Sequence, residues 1–303
     1  MSELPVTAPV CYRHPGKETY VRCTRCDRPI CPDCMNEASV GHQCPECVAE
    51  GRRTQRSART AFGGSVAGRA GVATRTLIGI NVVMMIISIA TGGMTAVAGG
   101  SWGGLLGQST PLTDWGSIIG YATYGPGETV LHGIAAGEWY RLLTAMFLHY
   151  GVLHLLLNMY ALWILGRELE GVLGRLRFVT LYVLAGLGGN VAAYVLSPPN
   201  QATAGASTAV FGLMAATFVI LKRLKLSVAP ILPVIVINVI FTFAVANISW
   251  EGHLGGLLVG GMVATILAYA PRERRNLIQA VGCTMVLLIL LALAIFRTAA
   301  LLA

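Results

Sequence analysis

Gly252-His253-Leu254-Gly255-Gly256-Leu257-Leu258-Val259-Gly260-Gly261 runs on without an Asp, Glu, Lys or Arg to Ala270, and Pro271 and Arg272 follow at once. About 20 apolar residues, rising 1.5 Å each, are what a helix needs to cross the hydrocarbon of a bilayer. The stretch therefore reads as a membrane helix. Its one ionisable side chain, His253, stands where such a group is costly and is by default a functional hypothesis. His253, Gly256 and Gly260 fall at i, i+3 and i+7, so the imidazole lies on the stripe that small residues open to a neighbouring backbone.

The rest of the chain extends this reading. Of 303 residues, 54% are hydrophobic and 12% charged, with 36 Gly and a net charge of +8. Soluble domains carry about 25% charged residues, so an ordinary cytosolic globule is excluded and a polytopic membrane protein is implied. Seven apolar runs are expected to be spans, at about 77–97, 143–165, 176–196, 204–221, 229–248, 252–270 and 277–297. Positive charge orients them. Arg52 to Arg75 precede the first run, Arg167, Arg175 and Arg177 separate the second from the third, Lys222, Arg223 and Lys225 follow the fourth, and Arg272, Arg274 and Arg275 follow the sixth. By the positive-inside rule the N-terminus and these loops face the cytoplasm and the C-terminus lies outside, as expected for a multi-pass protein of the cell membrane. The long connection 98–142 is then external, and its Trp102, Trp115 and Trp139 suggest an ordered loop partly embedded at the interface.

Before the spans the composition changes. Cys11-x-x-His14, Cys23-x-x-Cys26, Cys31-x-x-Cys34 and Cys44-x-x-Cys47 form chelate-spaced pairs, enough for two tetrahedral structural zinc ions with no open position. Interleaved pairing would give one ion Cys11, His14, Cys31 and Cys34 and the other Cys23, Cys26, Cys44 and Cys47; sequential pairing is the rival, and His42 is a spare candidate for the place of Cys44. A secreted disulfide framework is the alternative, disfavoured by the chelate spacing and the lack of a signal peptide. The pattern resembles a B-box-like zinc module, which implies binding rather than catalysis, with a cytoplasmic protein as the possible partner. The segment is too short and too poor in large apolar residues to fold without metal. The stretch 51–74, with Arg52, Arg53, Arg56, Arg59 and Arg69, reads as a basic flexible linker that meets anionic lipid headgroups rather than nucleic acid. The expected domains are thus 1–50, 51–74, a six-helix core over 75–270, and an additional helix in 271–303.

Polar residues within the apolar runs single out a site. His149, His154 and Asn158 lie in the second run, Ser207 in the fourth, Asn238 in the fifth and His253 in the sixth. His154 and Asn158 are one helical turn apart on one face. The inferred topology puts His149, His154, Ser207 and His253 in the outer part of the membrane. Gly205, Ala206, Ala209, Gly212 and Ala216 offer the sixth run a small-residue surface, and close packing there would let His253 reach Ser207. A lone Ser in a membrane helix more often bonds only its own i−4 carbonyl. It is the set of groups at one depth that favours chemistry.

This set resembles the rhomboid family of intramembrane serine proteases. The resemblance rests on Glu138-Trp139-Tyr140-Arg141, on His149-Tyr150-Gly151-Val152-Leu153-His154 with Asn158, on Gly205-Ala206-Ser207 with Phe211-Gly212, and on Gly252-His253-Leu254-Gly255-Gly256 with Gly260. It covers roughly residues 75–270. It implies an all-α rhomboid-like bundle of six helices plus a C-terminal seventh, behind a small zinc-ribbon or B-box-like module. It implies a Ser207/His253 dyad with no catalytic metal, an oxyanion site of His154, Asn158 and the Ser207 N–H, a supporting His149, and Phe211 packed on the His253 ring. Three departures from the common pattern are Thr208 after the Ser, Phe211 in place of Tyr, and Tyr140 before Arg141.

The function expected from the resemblance is a serine endopeptidase that cleaves transmembrane or membrane-anchored proteins near the outer face of the bilayer. The alternative is a catalytically silent relative that binds transmembrane helices, with the zinc module docking a partner; loss of Ser207 or His253 would favour it, and both are present. A proton channel or transporter would need the histidines but not the Gly-x-Ser or His-x-x-x-Asn groups. An intramembrane metalloprotease would need a His-Glu-x-x-His motif, which no run contains.

Overall fold

The computed structural model describes residues 8–54, 59–65, 71–100, 106–123 and 131–303. Arg56, Arg69 and Trp102 lie outside the described residues. The chain divides into two compact units, Met1–Ser57 and Ala58–Ala303. The first contains a two-stranded antiparallel ribbon, β1 (Asn36–Glu37) with β2 (His42–Gln43), and helix α1 (Pro45–Thr54). Its core is made of cysteines and Ile30, with Tyr12 and Met35 packed on it.

The second unit begins with a turn at 59–65. It is closed by Thr60, whose carbonyl accepts from the Gly63 N–H and whose hydroxyl accepts from the Gly64 N–H, and it buries Phe62 in the helical core. Helix α2 (Val72–Gly92) follows, then α3 (Pro111–Gly116), strands β3 (Ala122–Thr123) and β4 (Leu131–His132), and α4 (Arg141–Thr144). The remaining helices are α5 (Val152–Leu173), α6 (Arg175–Leu196), α7 (Ser207–Arg223), α8 (Ile231–Ala244), α9 (Trp250–Tyr269) and α10 (Arg275–Leu302).

All seven apolar runs contain a helix. Among the described residues five helices are long and apolar enough to cross a membrane: Val72–Ala96 (α2 with its 3₁₀ extension), α5, α6, α9 and α10. Helix α7, at 17 residues, and α8, at 14, fall short of the expected spans. Their ends explain why. Gly205 at φ +150 turns the chain before Ser207, so Gly205 and Ala206 are outside the helix they were expected to join. Helix α8 starts after Pro230 and stops where Val245 becomes extended and Asn247 takes φ 67.

The second run is corrected in the same way. Residues 141–147 form α4 and a 3₁₀ turn, Gly151 is extended, and α5 starts only at Val152. His149 therefore lies before α5 and not in it. At its other end α5 runs to Leu173, where buried Glu170 accepts hydrogen bonds from the Ala73 and Thr74 N–H groups and from the Thr74 hydroxyl. A carboxylate at the positive end of α2 satisfies donors that a helix leaves open.

Helices α6, α7 and α9 form the packed centre, and glycine decides their spacing. A Cβ on Gly256 would sit 2.0 Å from the Thr208 carbonyl oxygen, and one on Gly260 would sit 2.3 Å from the Gly212 Cα. Backbone thus lies on backbone, the means by which membrane helices gain dispersion contact where lipid supplies no hydrophobic drive. Gly256→Val is expected to lower stability in detergent by about 3 kcal/mol or more, read from thermal unfolding, because α7 and α9 must separate to admit it. A variant as stable as the wild type would show that this contact is not tight.

The connection between α2 and α5 is ordered where it is described. Trp115 stacks on Tyr140 with ring centroids 4.9 Å apart. Buried Arg141 donates to Glu138 at 2.6 Å and to the carbonyls of Asp114 and Ser117 at 2.8 and 3.0 Å. Partial burial works against the ionised Glu138, but Arg141 and the Gly133 N–H hold its carboxyl below the usual range.

Candidate active site

Ser207 is the first residue of α7, and two contacts fix the loop before it: the Gly205 N–H donates to the Ala145 carbonyl at 2.9 Å and the Ala206 N–H to His149 Nε2 at 3.4 Å. A Cβ on Gly205 would stand 2.9 Å from the His154 ring and 3.3 Å from Ser207 Oγ, so glycine is needed for that approach. His253 lies in the first turn of α9, whose N-cap, Ser249, accepts from the Gly252 N–H at 3.1 Å. The two side chains meet: Ser207 Oγ is 2.8 Å from His253 Nε2. The Phe211 ring, one turn below Ser207, stacks on the imidazole at 4.2 Å and 15°.

Ser207 and His253 line a cavity of about 400 Å³ together with His154, Asn158, Asn190 and Asn238. Asn158 donates to the His154 carbonyl at 2.9 Å, the i−4 bond within α5. His149, buried in the segment before α5, sets its ring edge-on to His154 at 4.9 Å. The Nδ1 atoms of both histidines are buried without a hydrogen-bond partner among the described residues. Every residue expected at this site is brought to it, His149 from a loop rather than a helix.

Two participants were missed in the sequence. Thr242 of α8 lies 2.7 Å from His253 Nδ1 through its hydroxyl. Asn190 of α6 donates to the Leu142 carbonyl at 2.9 Å and accepts from Thr208 at 3.5 Å. Each is a polar residue within an apolar run, the signal that exposed the others, and Thr242 stands four residues after Asn238. The β-branch of Thr208 is housed by glycines: a Cβ on Gly189 would meet it at 2.5 Å and one on Gly252 at 3.2 Å.

In the N-terminal unit the ligand atoms of Cys11, His14, Cys31 and Cys34, and those of Cys23, Cys26, Cys44 and Cys47, each lie within 4.8 Å of one another. These are the interleaved sets, and His42 is in neither. His14 Nδ1 is 3.2 Å from Cys31 Sγ, 3.4 Å from Cys34 Sγ and 3.9 Å from Cys11 Sγ. Ligands of a tetrahedral zinc with bonds near 2.0–2.3 Å stand about 3.3–3.8 Å apart, so the residues fit the ion. Burial opposes ionisation, but backbone N–H groups, led by that of Cys31 toward Cys11 and that of Cys44 toward Cys23, bring both thiols down to about 6. The two groups can hold metal.

A family model described as the rhomboid domain matches residues 136–270, from the turn before α4 to the end of α9. The chain is 43% identical over 139 residues to the rhomboid protease GluP of Bacillus subtilis (strain 168), covering 44% of this chain and 27% of GluP. It is 36% identical over 148 residues to YdcA of the same organism, covering 47% of this chain and 74% of that rhomboid relative. It is also 27% identical over 166 residues to the inactive rhomboid protein 1 of Danio rerio, covering 52% of this chain and 19% of that protein. The family thus includes proteases and inactive members, and similarity to GluP extends over little more than a quarter of its length. A rhomboid domain model over α4–α9, and a relative matched over 74% of its own length, establish that this chain belongs to the rhomboid family.

Proposed function

We propose that the protein is an intramembrane serine endopeptidase that cleaves transmembrane or membrane-anchored proteins near the outer face of the cell membrane. The observation that carries this reading is the 2.8 Å contact between Ser207 Oγ and His253 Nε2 at the wall of a cavity. Ser207 attacks the peptide carbonyl while His253 takes its proton at Nε2; the same nitrogen then protonates the leaving amine, and water completes hydrolysis by the reverse route. The developing oxyanion is met by His154, Asn158 and the Ser207 N–H, the last being one of the donors a helix N-terminus leaves open. His149 steadies the approach to Ser207 through the Ala206 N–H, and Phe211 fixes the plane of the imidazole.

Two further features support the location. The basic ends of the helices lie together, with Arg223 donating to the Ala268 carbonyl and Arg177 to Gln279 and Asn276. Ser207 and His253 stand at the opposite ends of α7 and α9, so a cytoplasmic basic face puts the dyad toward the outside. Helix α8 buries only Ile231 and Thr242, which makes it the wall best able to move for a substrate. The N-terminal unit, folded on two structural zinc ions, then lies in the cytoplasm and serves as a docking module outside the chemistry.

The full chain in proteoliposomes should cleave a model single-span substrate and be labelled at Ser207 by a fluorophosphonate, and chelators should alter neither. Ser207→Ala should lose both activities. Chelator-sensitive turnover in Ser207→Ala would overturn the reading in favour of metal-dependent hydrolysis. A wild-type chain that binds the helix without cutting or labelling would make this an inactive member.

A further inference from the structure

A serine and a histidine alone leave one question open at the dyad. The imidazole can act as base at Nε2 only if its proton resides on Nδ1, and the tautomer is set by what Nδ1 faces. Where a third group performs this task it is commonly a carboxylate. Among the described residues no Asp or Glu lines the cavity.

The group facing Nδ1 is Thr242, almost fully buried at 3% exposure and 2.7 Å away. A hydroxyl can donate or accept, so this contact alone does not choose the tautomer. The second contact of Thr242 does. Its oxygen also lies 2.8 Å from the Asn238 carbonyl, which can only accept, so the one arrangement that makes both contacts hydrogen bonds puts the Thr242 proton on that carbonyl. In that arrangement the hydroxyl presents a lone pair to His253, Nδ1 carries the proton, and Nε2 is left as an acceptor for the Ser207 O–H. The polarity runs one way from Ser207 through His253 and Thr242 to the Asn238 carbonyl.

Phe211 cannot do this work. Stacked at 4.2 Å, it holds the plane of the ring, but both tautomers share that plane. A Thr bonded to its i−4 carbonyl is otherwise a common way for a helix to satisfy a hydroxyl. What sets Thr242 apart is that its remaining lone pair meets a buried imidazole from another helix.

We propose that Thr242 is a positioning residue for His253, the third member of a Ser207–His253–Thr242 relay in which a back-bonded hydroxyl takes the place of a carboxylate. The proposal rests on the protease reading. It also gives α8 a part in the chemistry, since the helix with the fewest buried residues around the site carries the group that selects the tautomer.

The test is steady-state cleavage of a single-span substrate by the full chain in proteoliposomes. Thr242→Val keeps the shape and removes the lone pair; kcat should fall about 10- to 100-fold with KM within about twofold. The rate of fluorophosphonate labelling at Ser207 should fall in parallel. Thr242→Ser keeps the hydroxyl and should restore kcat to within about threefold of wild type. If Thr242→Val does not fold, Thr242→Ala is held to the same expectation. Unchanged kcat in the folded Val or Ala variant overturns the proposal, as does a Ser variant as slow as Val, which would make the effect one of packing. A wild-type chain that neither cleaves nor labels overturns the protease reading and the proposal with it.

Discussion

His253→Ala is expected to reduce kcat by roughly 10⁴- to 10⁶-fold, and the double variant Ser207→Ala/His253→Ala to be no slower than either single variant. In the proposed mechanism attack by Ser207 and removal of its proton are one event, so either loss stops the same step. The 2.8 Å contact places the base within reach of that proton, and the stacked Phe211 and hydrogen-bonded Thr242 leave the ring little freedom to seek another partner. Turnover of a model substrate in proteoliposomes provides the measurement, with KM expected to change little because neither side chain supplies the main binding surface. Additive losses in the double variant, or a His253→Ala enzyme within tenfold of wild type, would show that the two residues act separately.

Removal of metal from the N-terminal unit is the second large effect. Among the described residues the buried hydrophobic core of this unit consists, apart from Ile30, of cysteines, so it has little apolar area with which to offset its chain entropy. Structural zinc contributes about 10–16 kcal/mol of apparent folding free energy in small domains of this type. Metal analysis should find about two zinc ions per chain, one for each tetrad. Strong chelation, or Cys31→Ser with Cys44→Ser, should make residues 8–54 sensitive to protease digestion while substrate cleavage at Ser207 persists. A metal-free unit that resists digestion would refute the structural role. Loss of cleavage on chelation would tie the metal to activity.

The residues of the candidate site were largely legible because the membrane makes polar groups conspicuous. Against apolar runs, His154, Asn158, Ser207 and His253 stand out by type alone, and the glycines at i+3 and i+7 from His253 indicate the face on which another helix can lie. Thr242 and Asn190 obey the same rule but stand out less, since a threonine or asparagine in a helix usually finds a carbonyl one turn back. Their significance lies in bonds that cross between helices, to His253 in one case and to Leu142 and Thr208 in the other.

Helix ends were the least legible feature. The run 143–165 is predominantly apolar, yet α5 begins at Val152, after an extended Gly151 and a loop in which His149 meets the Ala206 N–H. Hydropathy registers the depth of a residue and is blind to whether its backbone is helical.

Local sequence was enough to determine the membrane class, the positions of seven apolar helices and the chelating pairs, since hydropathy, helical period and chelate spacing are properties of neighbours along the chain. Tertiary structure alone decided which pairs lie together, where α5 and α7 start, and that a threonine on α8 faces the imidazole on α9. Those outcomes depend on which backbones can touch. Contacts such as Gly256 on Thr208 and Gly260 on Gly212 exist only once distant segments have packed, and the free energy of that packing belongs to no single stretch of sequence.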